Sequence, residues 1–492
     1  IASALQAQSP HLWCGTDEAG MSKIKDRLLA NKRLSQELVQ SRSTHYVPVK
    51  FHLVAQNNGS GRVNYKNLLD QICTLNQDFS TVGIQFYIKD SFNLVNDTQI
   101  NEDHYHNNNR MGPKRDTGAL NVWIVKTPYS PSPDAITYGL YQISQDWLVI
   151  RRDEINRSSY TLTHEMGHFF SLLHTFYGWD IDPWTANKHG NPAPSMSPMS
   201  VPTERQDGSN CESAGDYVCD TPPDYNFGYF WYHDCDYAGG AKDPADVLVD
   251  PDETNFMAYF DRCDRSDYHF SQGQTFLMRA DLMSAARGHI RTGYTPLYTQ
   301  VSDNVQLLWP AAGEQTPFYN KVQLEWSVAN GATHYLVEVD RVSSFSLQPF
   351  TYITTKNQLE INDLSPGRTY YWRVRPYNEY YTCAQAASPK TFKTSDIATD
   401  IKEIGHLNDW KVIPNPAKRN TGTEIAFNTS ESFEAEIRLY NLTGQMVVNI
   451  GKMRFQAGNN TLPITTQNLD AGIYFLTLQT QQGRLTEKII IQ

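Results

Sequence analysis

The stretch Thr163–Phe176, THEMGHFFSLLHTF, holds the residue types most able to do chemistry. His164 and His168 are four apart, so on a helix they share one face, one turn apart. Two imidazoles placed in this way can bind one zinc ion from the same side. Glu165 follows the first of them and reaches a water bound at that ion. Zinc lowers the pKa of such a water towards ~7, so Glu165 reads as a general base that later passes the proton to a leaving amine. His174 comes six residues after His168 and closes the site only if the chain turns back after about Ser171. Three protein ligands leave a fourth position open, which marks a catalytic rather than a structural zinc site. With 14 His and 53 acidic residues in 492, chance supplies H-[DE]-x-x-H-x5-H roughly 0.001 times, which sets coincidence aside.

These side chains need elements to position them. YVPVKFHLV, from Tyr46, reads as a strand, and Leu68, Leu69, Ile72, Leu75 and Phe79 mark one face of a helix. IQFYIK (84–89), ALNVWIVKT (119–127), TYGLYQIS and DWLVIRR read as further strands, and an apolar helix is expected over 158–173. Strands mixed with helices predict an α+β domain over 45–292. Residues 177–256 are rich in Pro, Gly, Asp and Asn and read mostly as loop. A loop that long inside a compact domain is usually functional or cross-linked. Ser271 and Gln274 form a capping box that opens a helix to about Ile290.

A linker is expected near 293–304. KVQLEWSV, HYLVEVD, TYYWRVRPY and KTFKT then recur as short strands, the pattern of a β-sandwich over 305–395. A second β module is expected over 405–492. At the other end, 1–44 is expected to be a lead-in, of which 14–44 is polar and charged. Met21, Ile24, Leu28 and Leu29 fit a short helix there, either a structural lead-in or a removable pro-segment. The opening IASALQAQS, with small residues around Ala7, reads as the tail of a signal peptide.

Lys and Arg number 42 against 53 acidic residues, a net charge of −11, which argues against a general nucleic-acid binder. No apolar run approaches the ~18 residues of a transmembrane helix. Four of the seven cysteines, Cys211, Cys219, Cys235 and Cys263, fall within a loop-like stretch and contain no C-x2-C pair. Disulfides in an oxidising compartment are therefore the better reading than a zinc knuckle.

A histidine helix followed by a Met-turn defines the metzincins. The turn candidate is NFMAY, with Met257 as the floor beneath the metal and Tyr259 beside it, where a hydroxyl could stabilise an oxyanion. YVPVKFHLV, QICTLNQDF, HEMGHFFSLLHTF, GDYVCDTPP, NFMAY and FSQGQ come in the order of the pappalysin family of metzincins, which residues 46–290 resemble. The resemblance implies a mixed twisted sheet, His164, His168 and His174 as zinc ligands, and Glu165 as general base/acid. It also implies Tyr259 in the transition-state role and protein or peptide substrates. GDYVCDTPP resembles a calcium site of the family, with Asp216 and Thr221 as ligands, and calcium favours clustered oxygens. Two positions depart from the pattern. Ser171 stands where the family has glycine, and the segment from Met257 to Cys263 is one residue shorter, with Arg262 before the cysteine. No preference for basic residues at the cut is therefore carried over.

Residues 305–395 resemble a fibronectin type III domain. VIPNPA, EIRLYNLTGQ and LDAGIYFLTLQT make 405–492 similar to the C-terminal sorting domain of the type IX secretion system of Bacteroidetes. That resemblance implies the secretion machinery as a partner and an extracellular or outer-membrane surface location.

Four clustered cysteines allow three pairings, and spacing does not choose among them. The pairing carried forward joins Cys235 to Cys263, pinning the Met-turn, and Cys211 to Cys219 around the calcium candidate. Some family members use a pro-segment cysteine as a fourth zinc ligand, and Cys14 in WCGT is the candidate here. A thiolate there would displace the water and keep a zymogen latent until cleavage between Arg33 and Arg42. The alternatives are a Cys14–Cys73 disulfide or an inert thiol, and Cys383 is expected to be a plain thiol. Two functions compete: a secreted zinc endopeptidase, or a metzincin scaffold kept as a binding module. Retention of Glu165 with all three histidines favours the first.

Overall fold

Apolar and β-branched runs of the first half pair into one mixed sheet. The computed structural model describes every residue except 1–10, 38–42, 130–135, 232–234, 348, 399–406, 443, 468 and 481–482. The strands are β1 (His11–Cys14), β2 (His45–Ala55), β3 (Ile84–Ile88), β4 (Asn93–Asn96), β5 (Leu120–Val125), β6 (Ile136–Gln142) and β7 (Trp147–Arg151). Their order is β1-β6-β7-β5-β2-β3, with β4 also paired to β2. The β6–β7 pair is antiparallel and the others are parallel. Strands of a largely parallel sheet are covered on both faces, and β3 and β5 are buried at every position. The signal-peptide reading falls on residues outside those described.

Four helices position the site: α1 (Glu18–Glu37), α2 (Tyr65–Asp78), α3 (Thr161–Phe169) and α4 (Gln272–Met283). Asn64 caps α2 by accepting the Lys66 N–H, and Leu68, Leu69, Ile72 and Leu75 are buried, as their spacing predicts. Phe79, just past α2, meets Phe86 of β3 and Phe270 edge to face, with centroids 5.0 and 5.1 Å away. Burying such a ring contributes about 1.5–3 kcal/mol, so this cluster ties α2, β3 and the approach to α4 together. In α1, Met21, Ile24 and Leu28 are buried, while Leu29 faces solvent.

Helix α3 is shorter than its apolar run predicts. It stops at Phe169 because Ser171 adopts φ +66°, and the Leu172 N–H returns to the Gly167 carbonyl at 2.9 Å. Serine thus keeps the left-handed turn that glycine suits, at a cost on the order of 1 kcal/mol. The capping box of α4 is complete, with Ser271 and Gln274 each accepting the other's backbone N–H. The helix ends at Met283, and a 3-10 segment carries the chain on to Ile290.

Two all-β sandwiches follow. In the first, Gln358–Ile361, Val322–Trp326 and Leu307–Trp309 face a five-stranded sheet centred on His334–Asp340 and Thr369–Tyr377. In the second, Leu407–Ile413, Thr423–Thr429 and Gly458–Ile464 form one sheet. Met446–Phe455, Phe433–Asn441, Gly472–Gln479 and Arg484–Ile491 form the other.

One reading is corrected. Cys73 and Cys383 are not plain thiols: they are bonded to each other, with Cα atoms 5.0 Å apart across a sequence separation of 310. The first sandwich therefore docks on the α+β domain. Arg375 donates to Asp70 at 2.7 Å, the Tyr380 hydroxyl donates to Gln85 at 2.9 Å, and the Ile88 N–H reaches the Glu379 carbonyl at 2.7 Å. Leu336 and Tyr377 of the sandwich join the core of the α+β domain. Cys211–Cys219 and Cys235–Cys263 are formed, and Cys14 is free and buried.

Candidate active site

Helix α3 sets His164 and His168 on one face, and the turn at Ser171 brings His174 back to them. The His168 Nε2 lies 3.1 Å from His164 Nε2 and 3.1 Å from His174 Nε2. These contacts are not hydrogen bonds. Nδ1 of His164 lies 2.7 Å from the Phe256 carbonyl, and Nδ1 of His168 lies 2.8 Å from the Leu172 carbonyl. A carbonyl only accepts, so each Nδ1 carries the ring proton and each Nε2 offers a lone pair. The third Nδ1, on His174, faces Asp180 Oδ1 at 2.6 Å. Three lone pairs aimed at one point call for a cation. Ligands about 2.0–2.1 Å from tetrahedral zinc sit about 3.3 Å apart, close to the observed spacing. Burial, with the neighbouring His174, lowers the His164 pKa to about 3, and the same causes push His168 well down. Both rings are held neutral, the form that binds metal.

Glu165 points along the same face. Gly139 of β6 makes room for it, since a Cβ there would lie 2.9 Å from the Glu165 Cγ. Its Oε1 is buried with no hydrogen-bond partner, and burial raises its carboxyl to about 8. Met257 lies fully buried beneath the helix, and a Cβ on Gly167 would collide with its sulfur. Asn255 accepts the Met257 N–H at 3.0 Å and pairs by its amide with Gln274, so the capping box of α4 also holds the Met-turn. The Tyr259 hydroxyl lies 3.4 Å from His174 Nε2.

Cys14 arrives on β1, which pairs in parallel with β6 and places Cys14 opposite Gly139. Its Sγ and the three histidine nitrogens lie within 4.8 Å of one another. The thiol is 3.7 Å from Glu165 Oε2, and the Cys14 N–H donates to the Tyr259 hydroxyl at 3.3 Å. Burial and the Glu165 charge raise the thiol pKa well above its usual value. A cleft of about 810 Å³ runs from Cys14 past Tyr141, His174, Asp180 and Tyr259 to Met199, within the 177–256 stretch read as loop. Arg262 is exposed, 3.9 Å from Asp261.

Away from this cleft, Thr221 Oγ1 lies 3.0 Å from each Asp216 oxygen and 2.7 Å from the Val218 carbonyl. Sequence reasoning missed Glu204, which is buried facing Asp216. Burial raises both carboxyls, and Asp216 raises Glu204 further. Two neighbouring buried acids whose charges oppose each other suit a cation between them. No motif marks Glu204 in the sequence, and none marks Asp180.

Residues 411–492 match the family described as secretion system C-terminal sorting domain. The chain is 27% identical over 198 residues to an extracellular metalloprotease of Colletotrichum graminicola, covering 36% of this chain and 69% of that relative. A second extracellular metalloprotease of the same fungus is 27% identical over 302 residues, covering 57% and 94%. Among solved structures, a Tannerella forsythia promirolysin variant aligns with 57% of this chain and 97% of its own, at 18% identity and a TM-score of 0.38. Fold and site define the class, an exported metalloendopeptidase. In this chain that class is built as an α+β domain, an all-β sandwich and a sorting tail.

Among the described residues, no helix is long and apolar enough to cross a membrane.

Proposed function

We propose that the chain is a zinc-dependent endopeptidase exported by the type IX machinery and made as a latent precursor. Residues 45–292 form the peptidase domain and 1–44 a removable lead-in. Residues 305–395 are the bound sandwich and 405–492 the sorting domain. The observation that carries this reading is the convergence of three unprotonated Nε2 atoms at 3.1 Å spacing with Glu165 beside them. His164, His168 and His174 would hold zinc, which supplies a Lewis acid that polarises a carbonyl and acidifies water.

Each remaining role belongs to a side chain. Glu165 takes a proton from the attacking water and hands it to the leaving amine nitrogen. The Tyr259 hydroxyl donates to the oxyanion that develops on the scissile carbonyl. Met257 and the Asn255–Gln274 pair keep the floor rigid, so both groups stay aimed. In the precursor, Cys14 engages all three parts: its sulfur stands with the histidines and beside Glu165, and its N–H occupies the Tyr259 hydroxyl. Asp216, Thr221 and Glu204 would hold calcium and stiffen the loop that Cys211–Cys219 closes.

The test is hydrolysis of a proteome-derived peptide library by processed protein, with and without a zinc chelator. Cleavage that is lost on chelation and in Glu165→Ala is expected. Equal rates for Glu165→Ala and the parent would refute the mechanism. No cleavage by either would favour the binding-module reading.

A further inference from the structure

We propose that Asp180 is the positioning residue for the third zinc ligand: its carboxylate fixes the His174 imidazole and so sets how tightly the site keeps its metal. The proposal rests on the zinc reading above and deepens it.

The three histidines are held by different means. His164 and His168 ride on α3, and main-chain carbonyls of Phe256 and Leu172 receive their Nδ1 protons. His174 lies beyond the Ser171 turn, with no helix to fix it. Its Nδ1 is received instead by Asp180 Oδ1 at 2.6 Å. The other carboxylate oxygen, Oδ2, accepts the Gly178 N–H at 3.0 Å. With both oxygens committed, the carboxylate cannot rotate away from the ring. Gly178 adopts φ +105°, which folds the six-residue segment back on itself. The Trp179 N–H then reaches the Phe176 carbonyl at 2.9 Å, and Asn226 donates to the Trp179 carbonyl at 3.1 Å. The His174 ring stacks on Phe176 with centroids 4.5 Å apart and planes 17° apart, so packing supports the same orientation.

A carboxylate does more than a carbonyl in this place. It accepts a charge-assisted bond, fixes the tautomer that leaves Nε2 free, and makes that nitrogen a stronger donor to metal. The Asp180 side chain is only 15% exposed, so water screens this effect little. Among the three ligands, His174 alone has this anionic support.

The experiment measures the zinc dissociation constant of the full chain by competition with a chromogenic chelator, together with the visible spectrum of the cobalt(II)-substituted protein. Asp180→Ala is expected to bind zinc ~10–100-fold more weakly. Asp180→Asn keeps the shape without the charge. It should weaken zinc to a smaller extent and shift the cobalt bands, while its metal-free form melts with the metal-free parent. If both variants hold zinc as tightly as the parent, with unchanged cobalt spectra, Asp180 has no such role although the zinc reading stands. If the parent takes up no zinc, the zinc reading itself falls, and this proposal with it.

Discussion

The two edges of the catalytic sheet are closed in opposite ways. At one edge, β6 is covered by β1 of the lead-in, through backbone pairing and the free thiol of Cys14. At the other, β3 is covered by the Glu379 segment of the first sandwich, through the Ile88–Glu379 bond, the Arg375–Asp70 pair and the Cys73–Cys383 disulfide. An open strand edge invites pairing with other chains, so both edges need cover. Only one cover contains a covalent bond. On the precursor reading proposed above, the difference separates a part to be released from a part that stays, and the disulfide makes the sandwich a fastened neighbour of the first domain.

Several variants would break or sharpen that contrast. The largest effect is expected from Cys73→Ser with Cys383→Ser, which should lower stability by about 4–5 kcal/mol, measured by denaturant unfolding of the full chain. A loss below about 1 kcal/mol would make the sandwich an ornament. Next, Asp70→Ala strands the buried Arg375 and should cost about 3 kcal/mol in the same assay.

The Asp70–Arg375 pair also carries a pH signature. Burial raises the Asp70 carboxyl, but Arg375 and Lys66 outweigh it and leave it lowered overall. A depressed carboxyl stabilises fully above its unfolded value of about 3.9 and loses that contribution as pH falls through the folded one. Acid should therefore loosen this edge below about pH 4, and Asp70→Asn should flatten the stability profile there.

At the β1 edge, Cys14→Ala should raise hydrolysis by the unprocessed chain at least ~100-fold, about 2.7 kcal/mol, without a comparable loss of stability. Unchanged latency would leave β1 as packing alone. The smallest effect is expected at the turn between the histidines. Ser171→Gly should stabilise by about 1 kcal/mol, because it relieves the positive φ and removes a buried hydroxyl with no partner. A destabilised variant would mean that the serine hydroxyl has a role the geometry does not show.

These contrasts also mark what the sequence could reveal. The convergence of the histidines with Glu165, Met257 and Tyr259 was legible because the motifs fix their spacings on a helix and a tight turn. So was the capping box, whose two members lie three residues apart. Helix α3 was overextended because an apolar run does not disclose a left-handed turn at a serine. Asp180 and Glu204 are ordinary acidic residues that the fold brings against His174 and Asp216, and no spacing rule announces that. The Cys73–Cys383 bond was invisible for the same reason: 310 residues separate atoms that only the docked sandwich brings together.

That separation has a consequence for the order of assembly. Synthesis runs from the N-terminus, so every catalytic side chain exists long before Cys383 does. The bond at the back of the peptidase can close only after the sandwich has emerged into an oxidising compartment and folded against α2. Until then the nascent chain has its histidines and the buried Cys14 beside them but lacks its final fastening, and completion of the first domain waits on a neighbour made much later.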